Sequence, residues 1–170
     1  MPAPIFIIVG LSLVALESVL LAATGTQMVA LHLPVVLAVY LGMERPFATG
    51  GVLLACLLVP VEFFVAGVGG VYSLGLVVVF FFASLLRGQV QREWGLARAL
   101  VGALSSLLHS LVVIALFFAM GLSHLTTAVG WKIAPAMAIV GLMTVVTGRV
   151  LAAIDRRFDP RRGTRRLEFS

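Results

Sequence analysis

Polar positions are scarce along this chain, and they fall in groups. Between the groups run six apolar stretches, about Ile5 to Ala23, Met28 to Gly42, Phe47 to Ala66, Val71 to Leu86, Leu96 to Met120 and Lys132 to Ile154. A membrane-spanning helix takes roughly 20 apolar residues, and the second stretch is short by that measure. A membrane β-strand would alternate apolar and polar residues. Runs such as "LGLVVVFFFASLL" do not alternate. The pattern therefore predicts an all-α integral membrane protein with six transmembrane helices. The breaks carry turn chemistry: "ATGTQ" and "GVGG" are short and uncharged, "MERP" and "RGQVQREWG" hold charges, and "GLSHLTTAVGW" is the longest. No internal repeat is legible.

Composition reinforces the pattern. Of the 170 residues 61% are hydrophobic and 11% charged, with a mean hydropathy of +1.15. A soluble domain is nearer 45–50% apolar and about 25% charged. A soluble core of this length could not hide so much apolar surface, so lipid is the expected solvent. One domain, residues 1–154, is expected to hold the helices, followed by a basic tail, 155–170. The single cysteine, Cys56, excludes an internal disulfide and lacks the companions of a metal site. No basic residue precedes the first apolar run, and that run exceeds the roughly 7–15 residues of a signal-peptide core. A cleaved signal peptide is not expected.

Charge sets the orientation, because Lys and Arg are retained on the cytoplasmic side. With both ends inside, eleven of the twelve basic residues are cytoplasmic, and only Lys132 lies outside. A five-helix chain would split the basic tail from the basic loop. Cysteine labelling should then reach residue 126 from outside and residue 164 only from inside; the reverse would overturn the topology. The tail arginines Arg156, Arg157, Arg161, Arg162, Arg165 and Arg166 serve as a topology anchor or grip anionic lipid headgroups, at about 1 kcal/mol each. They lack the folded basic face with aromatics that nucleic acid requires.

The intramembrane polar groups form a layer. At about 1.5 Å per residue, Glu17 stands roughly 18 Å up the first helix, Glu62 roughly 21 Å up the third and His109 roughly 20 Å up the fifth. His32 begins the descending second helix, Tyr72 and Ser73 start the fourth, and Lys132 stands at the outer mouth of the sixth. All lie toward the outer face, and no comparable layer is expected in the inner half. Ionisable groups in a bilayer are costly and usually face the bundle interior or a wet cavity. Glu17, His32, Glu62, Tyr72, His109 and Lys132 are therefore candidates for an outward-opening cleft that binds a partner or ligand. The alternative is that each group is satisfied separately, by protonation, a neighbouring helix or the interface. Pro60, two residues before Glu62, removes one helical donor and is expected to kink the third helix.

No catalytic constellation stands out. Ser105 and His109 share a helical face at i, i+4, but no acid adjoins them and a regular helix offers no oxyanion donors. "GVGG" follows a helix rather than a strand and reads as a turn, not a phosphate cradle. No metal-ligand spacing is present and no cofactor is called for. Ala99, Gly102, Ala103 and Ser106 permit close helix contact.

One stretch resembles a known family. "HLPVVLAVYLGMERP" followed by "FATGGVLLACLLVPVEFFVAGVGGVYSLG" is similar to the MreD family of rod shape-determining membrane proteins. Pro34, Arg45, Gly51, Glu62, Gly70, Leu74 and Gly75 stand at the family's motif positions, with Glu62 where Asp is usual. The resemblance implies a non-catalytic inner-membrane subunit of the bacterial cell-elongation, peptidoglycan-synthesising machinery. Its implied partners are an MreC-type scaffold, MreB filaments, and a SEDS glycosyltransferase with a class B penicillin-binding protein. The family's fold is similar to the substrate-binding S components of energy-coupling-factor vitamin transporters. A substrate-binding subunit of a small-molecule transporter is accordingly the alternative function.

Overall fold

A short helix that is apolar on every side has to lie inside other helices, and Leu33–Glu44 is such a helix. The computed structural model describes residues 3–24, 32–64, 70–89, 95–122, 130 and 132–158. Its described residues form six helices and no strand: α1 (Ala3–Thr24), α2 (Leu33–Glu44), α3 (Phe47–Phe64), α4 (Val71–Leu86), α5 (Gly95–Ala119) and α6 (Ile133–Phe158). Every residue of α2 from Leu33 to Met43 is buried, and α2 packs against all five other helices. At 12 residues it is about 18 Å long.

The other helices wrap this centre. α4 lies beside α2 at glycine distance: a Cβ on Gly42 would stand 2.7 Å from the Ala83 Cβ and 2.8 Å from the Phe80 carbonyl oxygen. α5 packs most extensively on α6 through the small-residue seam. There a Cβ on Gly102 would meet the Thr144 side chain, and one on Gly141 would stand 2.9 Å from the Ala99 carbonyl oxygen. Phe6 of α1 stacks on Tyr40 of α2 with ring centroids 6.0 Å apart.

Two helical segments, Gly95–Ala119 and Ile133–Leu151, are long and apolar enough to cross a membrane, and shorter apolar helices accompany them. Only about a third of each of those two segments' apolar windows is buried. Large apolar side chains face outward instead, among them Phe63, Leu85, Leu96 and Phe118. Such a surface is compatible with a lipid surround, since soluble monomers rarely expose wide apolar patches.

The helix limits follow the sequence to within one or two residues, with two larger differences. α2 begins at Leu33; the expected start at Met28 lies outside the described residues. α6 continues to Phe158, four residues beyond the expected end at Ile154. α3 runs unbroken through Pro60. Arg161, Arg162, Arg165 and Arg166 lie outside the described residues, as do the side chains of Arg156 and Arg157.

Candidate functional site

The first turn of any helix leaves backbone N–H groups without helical partners. For a buried helix those groups need acceptors from elsewhere. α2 follows this rule in full. His32, its N-cap, adopts the left-handed conformation (φ 48°, ψ 38°) and offers no side-chain cap. It is the one non-glycine residue with positive φ among the described residues. A left-handed residue followed by a helical one turns successive N–H groups toward the same point, which favours an anion. Glu17 of α1 supplies the anion. The Leu33 N–H donates to its Oε2 at 3.0 Å, and the His32 backbone makes a second bond to the same carboxylate. Pro34, next in line, has no N–H to satisfy, and the Val35 N–H donates to the His32 carbonyl at 3.0 Å. Glu17 itself is 2% exposed.

Glu62 does the same for α4. Gly70, the N-cap, is also left-handed (φ 83°). Its N–H donates to Glu62 Oε2 at 3.0 Å, and the Ser73 N–H donates to Oε1 at 3.1 Å. One carboxylate thus spans the first turn of the helix. Each glutamate lies late in one helix and caps the start of the next. Unlike Glu17, Glu62 is only half-buried. Glu62→Ala should therefore cost about 1 kcal/mol, an ordinary cap loss. Glu62→Gln should cost roughly half that, since a neutral acceptor bonds about half as strongly. Thermal unfolding in detergent, followed by helical circular dichroism, checks both; an unshifted midpoint for Glu62→Ala would remove the capping role.

The remaining expected site residues gather near Glu17. The Tyr72 and His109 rings meet edge to face with centroids 4.6 Å apart. Gly75 makes room for the imidazole: a Cβ there would stand 2.7 Å from His109 Cδ2 and 2.9 Å from Nε2. Tyr72 is within electrostatic reach of Glu17, His109 of His32, and His32 of Lys132. Glu17, His32, Tyr72, His109 and Lys132 thus share one neighbourhood at the starts of α2, α4 and α6, and Glu62 stands beside it. They do not present as one open wall, because Glu17 and His109 are buried while His32, Tyr72 and Lys132 are half-buried. His109 Nε2 and Ser105 Oγ are buried without a hydrogen-bond partner among the described residues. Below this layer is an apolar void of about 10 Å³ lined by Val14, Pro34, Leu37, Leu57, Val61 and Leu76. That is the lower bound for a single water.

The opposite end of α2 holds a second polar layer, where none was expected. Arg45, the C-cap, is extended, and its N–H donates to the Leu41 carbonyl at 3.1 Å. Its side chain is 7% exposed and lies against Tyr40. The Arg45 carbonyl accepts a bond from Nη1 of Arg87, the C-cap of α4, at 2.6 Å. Arg98 of α5 forms an ion pair with Glu44. In the sequence "MERP" is a charge-bearing break between apolar stretches. In the fold it closes the end of a helix whose residues from Leu33 to Met43 are all buried. The shortness of the second apolar stretch, with charges directly after it, is the signal that could have disclosed this.

No family model, curated protein or solved structure matches the chain.

Proposed function

We propose that the chain is a six-span inner-membrane protein with both ends cytoplasmic, a non-catalytic subunit of the bacterial cell-elongation machinery. One observation carries this reading. The residues behind the MreD resemblance are joints of the helix bundle. Pro34 opens α2 and Arg45 closes it. Glu62 and Gly70 together start α4, and Gly75 seats His109. A motif spent on helix ends supports a shared architecture rather than a shared reaction, and binding partner membrane proteins is the role that follows. Two residues are exceptions: Gly51, where an added Cβ would meet only the Phe80 ring, and Leu74, whose side chain is half-exposed. Leu74 adjoins the Glu62 cap, near the exposed Phe63. The partner's membrane segment, of the MreC-type scaffold in the first instance, meets the bundle there.

The test is purification of the tagged protein from its native host in mild detergent, with mass spectrometry of what accompanies it. Recovery of an elongation scaffold with the wild type, reduced several-fold by Leu74→Arg, is the expected result. Recovery of a stoichiometric small molecule without a scaffold would replace the proposal with the transporter-subunit reading.

A further inference from the structure

His109 reaches from α5 to α4 with only one of its two ring nitrogens partnered. The Tyr72 carbonyl accepts a bond from the imidazole. Nε2 has no hydrogen-bond partner among the described residues, so that bond belongs to Nδ1. A neutral imidazole with its proton on Nδ1 leaves Nε2 as an acceptor. That acceptor lies against the bare backbone of Gly75, where a Cβ would stand 2.9 Å from it. His109 is 5% exposed, so bulk solvent does not supply the missing donor.

A second stranded atom adjoins it. Ser105 lies one turn earlier on the buried face of α5, beside Gly102 and Ser106. It is fully buried, and its Oγ is also without a partner among the described residues. A helical hydroxyl can bond the carbonyl four residues back, as Ser12, Ser110 and Thr144 do. Ser105 does not. Side chains on a helix lean toward its N-terminus, which brings the His109 ring over the turn that holds Ser105. One atom there only accepts, and the other both donates and accepts. Stranding two such atoms away from water costs more than ordering one water between them, and a buried water needs at least two polar partners. We infer that His109 Nε2 and Ser105 Oγ bind a single water molecule between α4 and α5. The water donates to Nε2 and shares its second bond with the serine hydroxyl. Neither residue lines the apolar void below, and the site does not depend on the function proposed above.

Solid-state NMR of the full chain in phosphatidylcholine bilayers, with nitrogen-15 in its three histidines, tests it. His109→Asn assigns the His109 signals; should that variant fail to fold, His32→Asn and His124→Asn assign them by elimination. In the wild type Nε2 should be unprotonated, shifted by hydrogen bonding, and reached by magnetisation transferred from water protons. Ser105→Ala removes the water's second partner and should lose most of that transfer. Ser105→Thr keeps the hydroxyl and should retain it. An Nε2 signal without transfer from water overturns the site, and so does a proton found on Nε2. Transfer undiminished in Ser105→Ala also overturns it, because the serine would then hold no water. A shift lost in Ser105→Ala, with no water transfer in the wild type, would assign a direct bond from the serine hydroxyl instead.

Discussion

Glu17→Ala should lower the stability of the purified protein by about 3 kcal/mol or more, because it strands two buried N–H groups at about 1–3 kcal/mol each. The groups are those of Leu33 and His32, both turned toward the carboxylate. For a chain of this size the midpoint falls about 2–4 °C for each kcal/mol, so thermal unfolding in detergent resolves the effect. Glu17→Gln keeps an acceptor oxygen and should lose roughly half as much. The comparison with Glu62→Ala is the sharper test. Glu62 serves the same role at a half-buried helix start, where solvent can take over. Glu17→Ala should be the more damaging by at least twofold in free energy. The reverse order would contradict the account of α2 as a short helix whose N-terminus is sealed from water.

Gly42→Ala is the second large effect expected. The added Cβ would meet the Ala83 Cβ at 2.7 Å, the Phe80 carbonyl oxygen at 2.8 Å and the Ser84 nitrogen at 3.0 Å. Two of those three atoms are backbone, so no side-chain rotation relieves the clash and the helices must separate. Overpacking of this kind costs about 1–3 kcal/mol, and Gly42→Val should cost more. Ala83→Gly removes the nearest contact but not the backbone ones, so the double variant should recover only part of the loss. Gly51→Ala, nine residues further on, is the control. Its Cβ would meet only the Phe80 ring, at 3.9 Å. The gain in helix propensity over glycine, about 1 kcal/mol, should leave it neutral or slightly stabilised. Equal midpoints for Gly42→Ala and Gly51→Ala would show that α2 and α4 do not approach at Gly42.

Glu62 illustrates how a residue's depth and its partner differ in legibility. Its place near the end of α3 follows from counting along an apolar run, and the same counting groups Glu17, His32, Tyr72, His109 and Lys132, which the fold brings into one neighbourhood. Its partner lies eight residues ahead, at the start of the next helix. An acid late in one helix, followed by a glycine-bearing turn and another helix, is a pattern that could have suggested the cap. For Glu17 no such pattern exists, because Leu33 is sixteen residues away. The polar layer of Tyr40, Glu44, Arg45, Arg87 and Arg98 at the other end of α2 is hard to read from the sequence for a related reason. Charged residues at an apparent loop read as solvated until the helix they terminate is seen to be buried on every side.

The sequence by itself determined the helical class and, among the described residues, the number of apolar helices and most of their limits. α4 spans Val71–Leu86 as expected, and α5 differs from expectation by one residue at each end. These properties are local: hydrophobicity, turn residues and helical rise are written in consecutive positions. Only the tertiary structure decided that α2 is central, that His32 is left-handed, that Glu17 and Glu62 cap neighbouring helices, and that arginines from three elements meet below. The physical reason is azimuth. A helix that is apolar all round carries no amphipathic stripe, so nothing along its length says which way a lone polar side chain turns. That direction is set when the helices pack and each stranded N–H or carbonyl must find a partner away from water.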